Sequence, residues 1–320
     1  MKPLALRILR APELMTFGLL ILALIIGTIN SPRFLDLNYL LYRSSELFPI
    51  ALLAIAMTFV IISGQIDLSV GSGAVLVMVV SALLYRDAGV PMTVILFLAP
   101  LMGALLGLFN GLLVTYLRLP SLVVTLGTLA LYRGLAMVLV GEESIGKFPA
   151  WFVGLDSVDV LGLRAGPMLI FLGVAVAAFL LLRFTTFGRR VYAIGTNEEA
   201  TRFSGIRTDR MKLAVFTMSG VAMGLAALMQ ISIITSASYK HFTGGELLAI
   251  TAVVLGGTSI NGGRGGLLGT VLAILLLAAV GTAMGINNVR AENQLAITGA
   301  LLIGSVVMND LTARLWRKPR

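Results

Sequence analysis

Ten runs of mostly apolar residues, most of them long enough to cross a lipid bilayer, restrict the fold of this chain more than any other feature. A transmembrane helix needs about 20 such residues, and about 17 to 25 are tolerated. The runs lie near residues 14–30, 47–63, 70–85, 90–117, 121–140, 166–184, 212–235, 246–260, 266–285 and 294–309. Helices are the expected structure, because in lipid every backbone N–H and C=O group must be paired internally. The sequence therefore predicts an all-α polytopic membrane protein of about ten transmembrane helices, forming a single domain over residues 1–320.

The composition agrees with a membrane protein and excludes several kinds of site. Only 12% of the residues are charged, against about 25% in soluble domains. The chain has no cysteine and one histidine, His241, so thiolate and multi-histidine metal sites are excluded. We interpret the net charge of +9 as basic residues at the cytoplasmic edges of the spans, and not as a nucleic-acid surface. His241 is expected on the external surface, and no catalytic residue or cofactor is expected.

The first run needs a separate interpretation, because it resembles a signal peptide. The run at 14–30 follows a basic start, as in a signal peptide, but it ends in "GTINSPRF" without a small-residue cleavage site, so a retained first span is predicted.

The third and eighth runs are short, and Gly and Ser interrupt the chain beside them. Non-helical backbone at membrane depth survives only where protein or water satisfies it, so these two runs are expected to form broken or re-entrant elements.

The distribution of charge predicts the orientation. Segment 183–212 holds seven basic and three acidic residues, whereas segment 141–164 holds four acidic and two basic ones. The positive-inside rule places both termini and a loop at about 185–211 in the cytoplasm, and a loop at about 141–165 outside. Arg33 and Arg43 are exceptions, because ten spans place them near the outer interface.

The cytoplasmic loop contains a short predicted helix. The tetrapeptide Thr196-Asn197-Glu198-Glu199 fits a capping box, which predicts a helix starting at Asn197, and Gly205 is a natural stop for it. About two turns are not stable alone in water, so this helix must pack on something.

Two roles remain open for that helix. Ala200 and Phe203 share one face at i, i+3 spacing, and Glu198 and Arg202 pair at i, i+4. An exposed aromatic with charged flanks suits docking into a groove on a partner protein. An amphipathic linker lying on lipid headgroups would have the same pattern.

Four motifs, in order, resemble a known family of membrane proteins. They are "SGQIDLSVGS" at 63–72, "PSLVVTLGTLALYRG" at 120–134, "TTFGRRVYAIGTNEEATRFSGI" at 185–206 and "AITAVVLGGTSINGGRGGLLGT" at 249–270. Together they resemble the permease subunits of bacterial ATP-binding-cassette sugar importers, the family of the ribose, xylose, rhamnose and autoinducer-2 permeases. The resemblance covers nearly the whole chain, but its motifs are much less specific for the substrate than for the family.

The resemblance implies partners and a coupling site. It implies cytoplasmic ATP-binding subunits, a periplasmic sugar-binding protein, and a second permease copy or a homologous permease in the bacterial inner membrane. In that family the loop supplies a coupling helix that contacts the ATP-binding subunit. Carried over to this sequence, the coupling residues are Asn197, Glu198, Glu199, Ala200, Arg202, Phe203, Ser204 and Gly205. Thr201 departs from the family's second small Ala but keeps the side chain small.

The glycine-rich segment 256–266, "GGTSINGGRGG", does not form a phosphate-binding loop. A P-loop requires G-x-x-x-x-G-K-[ST], and no Lys-Ser or Lys-Thr follows here. ATP hydrolysis is therefore expected in a separate subunit. The segment is interpreted as a tight cytoplasmic turn that Arg264 anchors to the membrane interface, and a gate is the alternative.

Asp67 is the acidic residue that this topology buries among apolar runs. A helix N-terminus favours negative charge, so Asp67 is expected to accept N–H groups near Ser69 to Gly71 and cap the third span. A gate shared with Gln65 and Ser69 is the alternative, and a proton pathway is a third possibility. The candidate gate or pathway residues are Gln65, Asp67, Ser69, Asn110, Gly256 and Gly257. Asn110 and Gln230 are expected to be buried and hydrogen-bonded between helices.

Two rival classes remain at the level of sequence. An ion-coupled secondary transporter of a small polar solute would need buried acids or unwound ion-binding helices. An intramembrane enzyme would need His, Cys or paired acids at membrane depth, and none is predicted there. The transported sugar is not fixed by the sequence, although "FPAWFVGLDSVDVLGL" at 148–163 resembles the external loop of autoinducer-2 and rhamnose permeases more than that of ribose permeases.

Overall fold

The structure, a computed structural model, is built almost entirely of helices. It describes residues 12–290, 293–294, 296–301, 303–304 and 307. The helices in this part of the chain are α1 Pro12–Asn30, α2 Leu37–Ser44, α3 Phe48–Ile62, α4 Val70–Arg86, α5 Met92–Thr115, α6 Ser121–Val140, α7 Gly166–Phe184, α8 Thr186–Thr196, α9 Glu198–Phe203, α10 Thr208–Ile234, α11 Gly245–Leu255 and α12 Leu267–Ile286. The described chain also contains a two-stranded antiparallel hairpin, which is formed by β1 Asp159–Val160 and β2 Leu163–Arg164.

Nine of the ten predicted spans coincide with helices of the structure. Seven stretches of the described chain are long and apolar enough to cross a membrane, and α4 and α11 are shorter apolar helices. The chain is therefore a multi-pass helical membrane protein. Part of the tenth predicted span, at 294–309, and the basic residues of both termini lie outside the described residues, so ten spans and the position of the termini stay predictions.

The third predicted span is one continuous helix of 17 residues, α4, whereas the helix of the eighth, α11, is much shorter than a full span. A re-entrant or broken path through the membrane stays a prediction for both. At about 1.5 Å per residue the 11 residues of α11 cover about 16 Å, roughly half of a bilayer core. The chain continues as non-helical backbone through 256–266, where Gly257, Gly262 and Gly263 have positive φ angles. The backbone N–H groups of these glycines are hydrogen-bonded, for example from Gly263 to the carbonyl of Ile62 at 2.9 Å. Protein groups thus satisfy the backbone that lipid could not.

Helix α10 lies at the centre of the fold and packs along α3, α4 and α5. Its Gly220 and Gly224 face Gly103 and Gly107 of α5, the two pairs of small residues visible in the sequence. A Cβ atom at Gly103 would overlap the carbonyl oxygen of Gly220. Glycine therefore lets the two backbones touch, and this close approach supplies the dispersion contacts that hold helices together in lipid.

The outer surfaces of the bundle are apolar. On α5 one exposed stripe recurs every three or four residues, formed by Val94, Phe97, Leu101, Leu105 and Phe109. Similar exposed residues cover α1, α6 and α7. Such a surface is far too apolar for contact with water and is suited to lipid or to another membrane helix.

Contacts between loops divide the molecule into two ends. At the hairpin end, loop 141–165 meets residues 31–47 and 235–244, since Asn38 binds the backbone of Gly162 and Arg164, and Ile145 pairs with Ala237. At the α9 end, residues 62–69, 184–208 and 256–266 come together. These groupings match the two sides that the charge pattern predicts.

Candidate functional site

Asp67 lies fully buried in the non-helical link between α3 and α4. Its Oδ1 atom accepts hydrogen bonds from the N–H of Ser69 at 3.0 Å and from the Ser69 hydroxyl at 2.7 Å. Its Oδ2 atom accepts a hydrogen bond from the Ser219 hydroxyl of α10 at 2.9 Å. Both oxygens of the carboxyl group are therefore occupied by protein donors.

The network continues across two more helices. Asn110 of α5 donates through Nδ2 to Ser69 Oγ at 2.8 Å. Tyr132 of α6 donates to Asn110 Oδ1 at 3.3 Å and to the carbonyl of Leu106 at 3.1 Å. Ser69, Asn110 and Ser219 are fully buried, and Tyr132 is nearly so. Side chains of α5, α6 and α10 thus meet at the link before α4.

This geometry changes the predicted role of Asp67. The N-cap residue of α4 is Ser69, and the one backbone N–H group bound to Asp67 is that of Ser69, not a series extending to Gly71. Asp67 forms an Asx-type turn and also joins the link to α10. The capping prediction was therefore too local, because the partner from α10 lies 152 residues away in the sequence.

Gln65 does not share the environment of Asp67 and Ser69. Gln65 is partly buried and lines a cavity of about 330 Å³ at the α9 end, together with residues of the α5–α6 turn and of α9 and α10, whereas Asp67 and Ser69 are fully buried. A gate or pathway role for these three residues stays a prediction. Asn110 is buried as predicted, and its partners make it a member of the network.

Sequence reasoning missed two members of the network, Ser219 and Tyr132. Serine within a small-residue run is typical of helix packing, and a single tyrosine within the apolar run 121–140 does not identify a hydrogen-bond partner on another helix. The signal available was spacing: Ser219 immediately precedes Gly220, and Tyr132 lies four residues after Thr128 on the buried face of α6.

The glycine-rich segment packs against the other loops of the α9 end. A Cβ atom at Gly256 would overlap backbone of Gly269 in α12, and one at Gly262 would meet backbone of Gly64 and Gly195. Gly257, with a φ of +88°, turns the chain out of α11. The segment therefore forms a turn, as predicted, in which Gly256 permits close packing on α12. Its cytoplasmic position, its anchoring by Arg264 and a gate at Gly256 and Gly257 stay predictions.

The short helix α9 has the boundaries expected of it but a different cap. Asn197 is the N-cap residue, and its Oδ1 accepts the N–H of Ala200 at 2.9 Å. Thr196 belongs to the end of α8 and donates to the carbonyl of Tyr192, so the predicted Thr–Glu capping box does not form. Gly205 has a φ of +82° just after the helix, as its predicted stop requires.

Most residues of α9 are exposed in the part of the chain that the structure describes. The side chain of Phe203 is 85% exposed, and Glu199, Ala200 and Ser204 are also exposed. Thr201 is the buried residue of the helix, which explains the small side chain there. An aromatic presented to solvent from a rigidly capped turn is suited to insertion into a partner.

A group of four charged side chains lies behind α9. Lys212 binds Glu198 Oε1 at 2.7 Å, and Arg202 binds the same oxygen at 3.1 Å and Asp209 at 3.5 Å. Burial disfavours the charged form of Glu198, but the hydrogen bond and charge of Lys212, with the charge of Arg202, outweigh it and lower its pKa. Glu198 is therefore ionised at neutral pH.

The hairpin end holds its loops by polar contacts. Arg133 of α6 donates to the carbonyls of Tyr239 at 2.6 Å and His241 at 2.8 Å. His241 is half-buried, which corrects its prediction as a surface residue, and burial lowers its pKa. Glu246, at the start of α11, is also partly buried. Asp67 is therefore not the single acidic side chain that the described part of the chain shields from solvent.

Within the described residues, no group of three or more His, Cys, Asp or Glu side chains is arranged to hold a metal ion. The arrangement offers hydrogen bonds between helices and a short helix, α9, that is exposed to solvent. The family model for the permease component of the branched-chain amino acid transport system matches residues 39–306. The chain belongs to this permease family.

Curated relatives of this permease carry a more specific name. The autoinducer 2 import system permease protein LsrD of Escherichia coli strain K12 is 39% identical over 302 residues, which is 92% of this chain and 91% of the relative. The protein of the same name from Shigella flexneri matches equally. No solved structure matches the chain. The resemblance inferred from the four motifs is therefore confirmed, and the chain is a permease of the ATP-binding-cassette importer type.

The residues matched by the family model, 39–306, include the whole Asp67 network, the glycine seam of α5 and α10, and α9 with its charged group.

Proposed function

We propose that this permease forms part of the pathway for a monosaccharide or sugar-like solute across the bacterial inner membrane, as a subunit of an ATP-binding-cassette importer. The observation that carries the proposal is the 39% identity, over 92% of the chain, to a permease named for autoinducer 2 import. The likeness of segment 148–163 to the external loops of autoinducer-2 and rhamnose permeases supports solutes of this size and polarity.

The chain works with partners in this proposal. It pairs with a second permease, a copy or a homologue, to enclose the pathway. A periplasmic binding protein delivers the solute at the hairpin end. ATP is hydrolysed in a separate cytoplasmic subunit, because the glycine-rich segment 256–266 lacks the Lys and Ser or Thr of a P-loop.

Helix α9 is the coupling helix of the proposed importer. Support comes from the full exposure of the Phe203 ring beside a capped helix start and a glycine stop. When the ATP-binding subunits close, a groove that holds Phe203 would displace α9. The bundle then changes between outward-open and inward-open forms, and no residue of this chain performs bond chemistry.

Ion-coupled secondary transport is the less favoured alternative. It would require a titrating group that is open to a pathway. Asp67 is enclosed, and both of its oxygens already accept hydrogen bonds from Ser69 and Ser219. The Asp67 side chain is therefore better suited to linking helices than to carrying protons.

The test is transport by the assembled importer in vesicles. Autoinducer 2, ribose and rhamnose are supplied in turn together with the binding protein. Uptake of the transported solute should require ATP on the cytoplasmic side of the membrane. Phe203→Ala and Gly205→Pro should insert normally but lose uptake and solute-stimulated ATP hydrolysis, because the aromatic anchor or the positive-φ stop is removed. Uptake driven by an ion gradient without ATP would instead support the secondary transporter.

A further inference from the structure

The attachment of α9 to the bundle depends on very few residues. The helix has six residues, and Thr201 is the one whose side chain is buried. A helix of this length is not stable by itself in water. Its apolar contacts are therefore too few to fix its direction, and polar contacts to α10 must contribute.

Lys212 supplies the most enclosed of these contacts. It lies one turn inside α10, and its side chain is 10% exposed, whereas the Glu198 side chain is 33% exposed. The distance from Lys212 Nζ to Glu198 Oε1 is 2.7 Å, typical of a charge-assisted hydrogen bond. Glu198 is the acidic partner of Lys212 within the described residues, so loss of Glu198 leaves the enclosed ammonium group of Lys212 poorly compensated.

Arg202 adds a second tie between the same two helices. Its guanidinium donates to the buried Thr208 hydroxyl at 3.2 Å and meets Glu198 at 3.1 Å. Glu198 and Arg202, the first and fifth residues of α9, are thus bound to Lys212 and Thr208, which lie within the first five residues of α10. Two points of attachment define the direction of a helix, whereas one would leave it free to turn.

We infer that Lys212 is a positioning residue, which acts through Glu198 to hold the coupling helix in one orientation on α10. The inference rests on the proposed function, because it concerns how α9 is presented to the ATP-binding subunit. In this role Lys212 contacts neither that subunit nor the solute. It makes a displacement of α9 a displacement of α10, which carries Ser219 about two turns, and the glycine seam about two to three turns, further along.

The test compares single and double variants of the complete importer. Lys212→Met removes the charge and keeps the length of the side chain, and Lys212→Arg keeps the charge. Arg210→Met is a matched control, because Arg210 lies on the exposed side of the same turn. Glu198→Gln and the double variant Glu198→Gln with Lys212→Met complete a cycle that measures dependence between the two residues.

Two measurements are made on each variant. One is the stimulation of ATP hydrolysis by the solute-loaded binding protein, and the other is amide hydrogen exchange along the permease. Lys212→Met should reduce stimulation about tenfold and speed exchange in 198–206 about tenfold, the scale of one lost charge-assisted hydrogen bond. Exchange elsewhere in α10 should stay unchanged, and Lys212→Arg and Arg210→Met should resemble the parent protein.

The double variant should lose only slightly more than Lys212→Met alone, because both changes remove the link between Lys212 and Glu198. The small additional loss comes from the pair of Glu198 with Arg202 inside α9, which Glu198→Gln also weakens. Fully additive losses would overturn the inference, as would normal stimulation in Lys212→Met. Faster exchange throughout the bundle would also overturn it, because Lys212 would then be a general stabiliser. Phe203→Ala, measured in parallel, separates the two proposals: if Phe203→Ala retains stimulation, the coupling role of α9 itself is wrong.

Discussion

Ser219 of α10 donates a hydrogen bond to Asp67 at 2.9 Å, joining residues that are 152 positions apart in the sequence. The bond connects the central helix to the non-helical link between α3 and α4. Through Ser69 and Asn110 the same carboxyl group reaches α5. A single acidic side chain therefore holds together the part of the bundle where the backbone leaves helical structure.

Substitution of Asp67 tests this structural role. Asp67→Ala leaves the N–H of Ser69 without its acceptor in a buried site, so the variant should lose about 1–3 kcal/mol of stability. Asp67→Asn should cost less than about 1 kcal/mol, since its oxygen can serve Ser69 while the Ser219 hydroxyl turns to accept from its amide. Thermal unfolding in detergent and uptake per folded molecule measure the two effects.

Ser72→Ala is the matched control, because the Ser72 hydroxyl binds only the carbonyl of Ser69 within its own helix turn. Ser219→Ala should be more destabilising than Ser72→Ala. An Asn variant at position 67 that folds like the parent but does not transport would contradict the structural role and revive proton coupling.

The glycine seam gives a second prediction. Gly103→Ala should destabilise the protein by about 1–3 kcal/mol or more, because the new methyl group would overlap the backbone of Gly220. Gly127→Ala on α6 is the control, since a Cβ atom there meets nothing within 4 Å. The control should be neutral or more stable by about 0.5–1 kcal/mol through helix propensity. Equal thermal stability of the two variants would show that α5 and α10 are not in close contact.

The sequence predicts the helices of this protein better than it predicts their contacts. The apolar runs set the bounds of nine helices to within a few residues, because a bilayer demands a minimum length of apolar chain. Gly103 and Gly220 were visible as members of small-residue pairs, but nothing in one sequence states that those two pairs face each other. That contact depends on the relative rotation of two helices, which many residues determine together.

The same limit applies to the candidate site. The Asp67 motif was visible as an acid in an apolar stretch, yet Ser219 and Tyr132 are ordinary residues in their own helices. Gln65 was grouped with Asp67 because it is two positions away, but Gln65 is only partly buried and lines a cavity, whereas Asp67 is fully buried. By contrast, the end of α9 at Gly205 was predictable, since a positive φ is a local demand that glycine meets.

Arg133 provides a third prediction, at the hairpin end. Arg133→Met should release the backbone carbonyls of Tyr239 and His241, so amide exchange in 236–244 should become faster, by about tenfold on the scale of a hydrogen bond to a charged group. Arg133→Lys should give an intermediate rate, because an ammonium group cannot reproduce the fork of a guanidinium. Arg118→Met, at the other end of the molecule, should leave exchange in 236–244 unchanged. Unaltered exchange in Arg133→Met would mean that the loop is held by other contacts.

The last prediction concerns which end of the molecule faces the cytoplasm. Because the chain has no cysteine, a single introduced cysteine can be labelled without background. Leu161→Cys lies at the hairpin end, where the side chain of Leu161 is 97% exposed, and Ser204→Cys lies beside α9. An impermeant maleimide added to intact cells should label position 161, and it should label position 204 only after the membrane is opened, because the basic segment 183–212 is retained inside. Reporter fusions after Leu182 and Arg320 should likewise read as cytoplasmic, and a fusion near Asp156 as periplasmic. The opposite labelling pattern would invert the orientation and remove α9 from the side where ATP-binding subunits act.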